Sequence, residues 1–151
     1  VNQIVICVGS VYGAALETAR AVRTALQAEG FSVELHEAPT LASVTETEGA
    51  VLICTSTTGT GDLPENIAPL YQGLTNEYPN IVGRPFGVIT LGDSSYFESF
   101  GGAGDLIFEA FTELAAKPLS PLLKIDAQET ADPEEVAVPW SREWARQLTN
   151  Q

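Results

Sequence analysis

Basic side chains are scarce in this chain of 151 residues. Seven lysines and arginines stand against twenty aspartates and glutamates, a formal net charge of −13. That surplus repels nucleic-acid phosphates and anionic lipid headgroups, so neither nucleic acid nor a membrane surface is expected as a partner. No apolar run approaches the roughly 18 residues of a membrane span, and no basic segment followed by an apolar one opens the chain. Neither spanning nor export is expected. Histidine occurs once and cysteine twice. Cys7 and Cys54 lack C-x-x-C spacing, which speaks against a metal cluster or a redox pair, and both fall in apolar runs. They read as small buried thiols in a reducing, cytoplasmic setting. His36 has no cysteine or carboxylate at ligand spacing, and Ser94–Ser95 is not a G-x-S-x-G elbow, so no nucleophilic triad emerges. Internal repeats and low-complexity linkers are also lacking. The length fits a single domain over residues 1–151.

What the chain does have is three short apolar runs, 4–8 (IVICV), 50–54 (AVLIC) and 86–91 (FGVITL), each stopping at a loop of small and hydroxyl residues. Continuous β-branched runs suit strands covered on both faces. Between them the period turns helical. Over 14–29, Ala15, Ala19, Val22 and Leu26 share one side, with Gly30 placed to end the helix. Residues 31–36 alternate like an edge strand, with Phe31, Val33 and Leu35 on one face. A connection from Pro39 to Gly49 has room for one loose helical turn.

Residues 64–78 read as a short helix or a pair of turns, packing Ile67, Leu70, Tyr71 and Leu74. Residues 101–116 read as a long helix offering Leu106, Phe108, Phe111 and Leu114. A fifth strand is expected over 119–125, with Pro121 confining its pairing to the later part. The last helix has two candidate starts. Asp132-Pro133-Glu134-Glu135 supplies a cap, a first-turn proline and two acids for the positive end, whereas Pro139 would delay the start to Trp140. Trp140 and Trp144 lie at i, i+4 and read as core anchors. The strands and helices alternate, so right-handed crossovers put helices on both faces of a five-stranded parallel sheet. The expected class is α/β, doubly wound, with strand order 2-1-3-4-5 and its ligand at the carboxyl ends of the strands.

At two of those loops the chain closely resembles the flavodoxin family, and most of all its short, stand-alone MioC-type members. Residues 55–66 (TSTTGTGDLPEN) resemble the family's second flavin loop. Residues 91–96 (LGDSSY), followed by Phe100, resemble its third. The resemblance implies that FMN lies across the rim with its ring between these loops. Leu91, Gly92, Asp93, Tyr96 and Phe100 would then serve one side of the ring, with Tyr96 stacked on it and Asp93 near the pyrimidine edge. Thr57, Thr58, Gly59, Thr60, Gly61 and Asp62 would serve the other, and Ser56 lies near the phosphate loop to help there. Gly59-Thr60 matches the peptide that turns over on reduction in the family, a movement glycine makes at little cost. Thr58 stands where many members place a tryptophan or tyrosine, which leaves one ring face more exposed.

Residues 9–15 (GSVYGAA) align with the family's phosphate loop, so Ser10, Val11, Tyr12, Gly13, Ala14 and Ala15 are candidate phosphate residues. Exposed backbone N–H groups at a helix N-terminus make an anion site without lysine. The family usually carries further hydroxyl or amide donors where Tyr12, Ala14 and Ala15 stand. Charge-assisted hydrogen bonds contribute about 1.5–3 kcal/mol each, so losing two predicts FMN held roughly 10²- to 10⁴-fold more weakly unless backbone donors compensate.

The implied activity is carriage of single electrons between an NAD(P)H-dependent flavodoxin reductase and an acceptor enzyme with a basic docking face, rather than turnover of a substrate of its own. Asp62, Glu65, Asp93, Glu98 and Asp105 concentrate acid around the rim for such docking. The alternative is a protein-interaction or regulatory module of the same fold that binds FMN weakly or not at all, favoured by the alanines at 14 and 15 and by Thr58.

Overall fold

The computed structural model describes residues 2–58, 60–96 and 100–149, apart from the side chain of Tyr96. The expectations for Gly59, Glu98 and the Tyr96 ring lie outside the described residues. The elements run β1 (Gln3–Gly9), α1 (Ala14–Ala28), β2 (Ser32–His36), α2 (Ala42–Thr45), β3 (Ala50–Ser56), α3 (Ala68–Glu77), β4 (Pro85–Gly92), a 3₁₀ turn (Ser94–Tyr96), α4 (Gly102–Glu113), β5 (Lys117–Pro118), β6 (Leu123–Asp126) and α5 (Glu134–Thr149). All pairings are parallel, and the sheet order is β2-β1-β3-β4, with β5 and β6 both on the outer edge of β4. This is the expected 2-1-3-4-5 order.

The three apolar runs are buried on both faces because successive residues feed opposite layers. Ile4, Ile6 and Val8 of β1 pack with α1 and α5, whereas Val5 and Cys7 pack with α2, α3 and α4. In α1, Ala15, Ala19, Val22 and Leu26 are all buried as their spacing requires. Gly30 follows the helix in the left-handed region at φ 97°. In α4 the buried stripe runs through Ala103, Ile107, Ala110 and Phe111, so Phe111 fits the expectation while Leu106, Phe108 and Leu114 sit at its margin.

Prolines account for the departures in detail. The expected fifth strand divides. Lys117–Pro118 pairs with Pro85 and Phe86, and Leu123–Asp126 pairs with Ile89 to Gly92. Pro118 and Pro121 have no N–H to donate, so the ladder stops between them and resumes beyond. Beside the break, the carbonyl of Phe86 accepts the Leu119 N–H and the indole N–H of fully buried Trp144, at 3.2 and 3.1 Å. Trp144 thus does anchor the core, with Trp140 stacked on it at 6.5 Å. Of the two starts for the last helix, the earlier is used. Asp132 Oδ1 accepts the Glu134 N–H at 3.2 Å, and Pro139 is carried inside the helix on its exposed side. Helix α3 begins at Ala68, later than Pro64, because residues 65–67 form a turn closed by Ile67 and Ala68 donating to Pro64 O.

Candidate functional site

Each core strand ends at the same rim, and the loops there differ in how they are held. After β1 the chain turns at Ser10. Its N–H donates to Asn66 Oδ1 at 2.9 Å, and its hydroxyl accepts the Gly13 N–H at 2.9 Å. Gly13, at φ 93°, starts α1 in a conformation that a side chain would resist. Within the described residues no hydrogen bond engages the N–H groups of Val11, Tyr12, Ala14, Ala15 or Leu16. A 15-residue helix and its leading loop therefore present a row of backbone donors, with the Ser10 hydroxyl proton beside them. The side chains contribute little else. Tyr12 is 98% exposed, and Ala15 is fully buried.

After β3 the second loop closes on itself. The Thr58 N–H donates to Asp62 O at 3.1 Å, the Gly61 N–H to Thr58 O at 2.9 Å, and the Thr60 hydroxyl to the Asp62 carboxylate. Thr57 ties this loop to β4 through its N–H on Leu91 O at 3.0 Å and its hydroxyl against that of Thr90 at 3.2 Å. After β4, Gly92 lets the chain fold back. A Cβ there would stand 3.0 Å from both the Phe100 ring and the Gly101 nitrogen.

The third loop is tethered from a direction the sequence does not advertise. Asp126, at the end of β6, accepts the N–H groups of Ser94 at 3.0 Å and Gln128 at 2.9 Å. The Gln128 side-chain amide then donates to Asp93 Oδ1 at 3.0 Å. Asp93 also accepts the hydroxyl and N–H of Ser95, at 2.6 and 2.9 Å. The Ser95 donors hold the Asp93 carboxyl below the usual carboxylate range, and Ser94, with the Gln128 N–H, does the same for Asp126. Lys124, also on β6, donates to Phe100 O at 3.1 Å and Asp105 at 2.9 Å, with its ammonium 5.7 Å from the Phe100 ring centroid.

Together these loops enclose a cleft of about 580 Å³. Eight of the expected site residues line it: Ala14, Ser56, Thr57, Thr58, Leu91, Gly92, Asp93 and Phe100. Its remaining wall is Ile125 of β6 and the turn from β6 to α5, with Ala127, Thr130, Ala131 and Pro133, together with Gly101. Sequence reasoning missed that wall. Alanines and a threonine carry no chemical flag, although the rule that ligands gather beyond strand ends applies to the fifth strand as well. Ser10, Val11, Tyr12, Gly13 and Ala15 lie at the rim beside Ala14 rather than in the cleft lining. Thr60, Gly61 and Asp62 form the closing turn of the second loop.

Elsewhere the chemistry is plain. Cys7 and Cys54 are free and buried, and desolvation pushes both thiols up to about 12, which leaves them unreactive. His36 Nε2 lies 3.4 Å from the exposed Glu34 carboxylate on the edge strand. Among the described residues no group of three or more potential ligands is placed to hold a metal ion, and no helix is long and apolar enough to cross a membrane.

Comparison with known proteins finds a family model and similar relatives. The family model described as flavodoxin matches residues 6–140. A cysteine-to-serine variant of flavodoxin from Pseudomonas aeruginosa superimposes with a TM-score of 0.91 at 41% identity, covering 97% of this chain and 99% of that one. Flavodoxin YqcA of Pectobacterium carotovorum is 42% identical over 144 residues, 95% of each chain. Protein MioC of Escherichia coli K12 is 31% identical over 140 residues, 93% of this chain and 94% of its own length.

Proposed function

This chain belongs to the flavodoxin family, and from that premise we propose that it holds FMN across the rim cleft and carries single electrons between an NAD(P)H-dependent reductase and an acceptor enzyme. The observation that carries the reading is one continuous surface: backbone donors at the start of α1, then Ala14, then a cleft bounded by the second and third loops. A volume near 580 Å³ lies within the roughly 300–1,000 Å³ of small-molecule sites, and its mixed lining suits a flat ring with a polar edge.

The donor set also fits the group's other end. A phosphate would be met by the N–H groups of Val11, Tyr12, Ala14 and Ala15 and by the Ser10 hydroxyl, at the positive end of α1. These backbone donors, with the Ser10 hydroxyl, are what the loop offers a phosphate where Ala14 and Ala15 bring no side-chain donor. Gly13 supplies the turn rather than a donor, because Ser10 already takes its N–H. Tyr12 contributes only its backbone.

FMN, when bound, supplies the capacity to take up and release one electron at a time. The chain's own task is to hold and bias it. Thr58 presents a methyl and a hydroxyl where an aromatic ring would cover the flavin, so that face is left to solvent or to a partner. Gly59 and Thr60 supply the peptide that would adjust to the ring's protonation. On the other side, Tyr96 would stack and Phe100 closes the end of the cleft. Asp93, kept ionised by its Ser95 donors, places negative charge at the cleft and disfavours more of it there.

The test is to load the protein with FMN, supply NADPH and a flavodoxin reductase, and follow electron delivery to a one-electron acceptor such as cytochrome c. Transfer that needs both FMN and the reductase is the expected result. Rapid oxidation of NADPH by this chain alone would mark it as an enzyme instead. Failure to retain FMN would leave an interaction module of the same fold.

A further inference from the structure

Asn66 sits in the turn before α3, outside the cleft, yet its side chain joins three loops. Its Oδ1 accepts the Ser10 N–H at 2.9 Å. Its Nδ2 donates to Val8 O of β1 at 2.9 Å and to Glu37 O, just past β2, at 2.7 Å. The amide orientation follows from the partners, since an N–H requires the oxygen and two carbonyls require the nitrogen. Both amide protons are used. Strands β2 and β1 are neighbours in the sheet, so one half-buried side chain ties their carboxyl ends to the turn that leads into α3.

The consequence falls on the first loop. Asn66 takes the Ser10 N–H, which sets the Ser10 peptide, and the Ser10 hydroxyl then takes the Gly13 N–H. Two of the loop's donors are thereby spent on its own shape, and the N–H groups between and after them have no partner among the described residues. The close approach of β1 to the turn is built in at Gly9, where a Cβ would stand 2.7 Å from the Ile67 side chain and 2.4 Å from the Thr55 hydroxyl.

We propose that Asn66 is a positioning residue that pre-organises the phosphate-binding end of the site, so that it governs the preference for FMN over riboflavin without touching either. The proposal rests on the FMN reading above. Holding donors in place before binding removes an ordering cost that a loose loop would have to meet each time. Only the phosphate end depends on this loop, so the ring end has no reason to change.

The experiment titrates the flavin-free protein with FMN and with riboflavin, for the wild type, Asn66→Ala and Asn66→Ser. The serine variant adds no charge beside the phosphate, and its single short hydroxyl cannot serve Ser10, Val8 and Glu37 together, so a loss of FMN affinity in it is not charge repulsion. Near-ultraviolet circular dichroism follows the fold of each, and the serine variant decides the matter if the alanine variant does not fold. Both variants are expected to lose FMN affinity on the order of tenfold to a hundredfold while riboflavin affinity stays within about threefold. Equal weakening of both flavins, or unchanged FMN affinity, would overturn the role of Asn66 and leave the FMN reading standing. A wild type that does not prefer FMN to riboflavin would overturn the phosphate reading itself, and this proposal with it.

Discussion

Gly87 has no side chain because the indole of Trp144 occupies the place where one would be. A Cβ there would stand 2.4 Å from the indole nitrogen, which is engaged with Phe86 O. Gly87→Ala is therefore expected to cost about 1–3 kcal/mol by overpacking, read as a lower denaturant midpoint at unchanged slope. An unchanged midpoint would show that the indole moves aside freely. At Thr58 the opposite change should help. Thr58→Tyr restores a ring to the open side of the cleft, and aromatic stacking of about 0.5–1.5 kcal/mol predicts FMN bound roughly two- to tenfold more tightly by titration. Residues of this kind divide by how they speak in a sequence. Cys7, Cys54 and Trp144 were legible as core because apolar character and period alone decide them. Asn66, Asp126 and Lys124 were not, because a polar residue near a strand end looks the same whether it faces water or ties one loop to another.

Among the elements, the third loop depends on a neighbour remote in sequence. Asp126 and Gln128 hold Ser94 and Asp93 from the end of β6. Both carboxyls have folded pKa values below the ordinary aspartate value of about 3.9. A carboxyl depressed in this way stabilises the fold above its unfolded pKa, and that contribution is lost as pH falls through the folded value. The tether is thus complete at neutral pH and released only in acid, below about pH 4. Asp126→Ala removes it at any pH. Amide hydrogen exchange at Ser94 and Gln128 should then quicken at least several-fold at pH 7, and identical exchange would show the loop to be held by other contacts. The strands and helices that carry the sheet were readable because each buries a periodic apolar face. The division of the fifth strand was only half readable. Pro121 signalled a limit to pairing, but the Lys117–Pro118 bridge depends on where β4 happens to offer carbonyls. The turn from Ala127 to Pro133 was not readable at all, since its part in the cleft comes from the position of β6 rather than from its own residues.

For the whole molecule, charge and topology act together. The doubly wound sheet brings Glu37, Asp62, Glu65, Asp93 and Asp126 to one rim, on a chain whose net charge is −13. A surface of that sign steers a positively charged partner and affects encounter rate more than affinity. Reductase-coupled electron transfer should therefore slow as salt rises, on the order of tenfold between 0.01 and 0.5 M, where screening shortens from about 30 Å to a few ångströms. A rate indifferent to salt would place the docking face elsewhere.

The measurement that bears most directly on the central claim is calorimetric titration of the flavin-free protein with FMN, with riboflavin run beside it. Tight one-to-one binding of FMN, and much weaker binding of riboflavin, is the predicted result, because the backbone donors at the start of α1 stand in for the missing side-chain donors. FMN bound no more tightly than the high micromolar range, or no better than riboflavin, would contradict it.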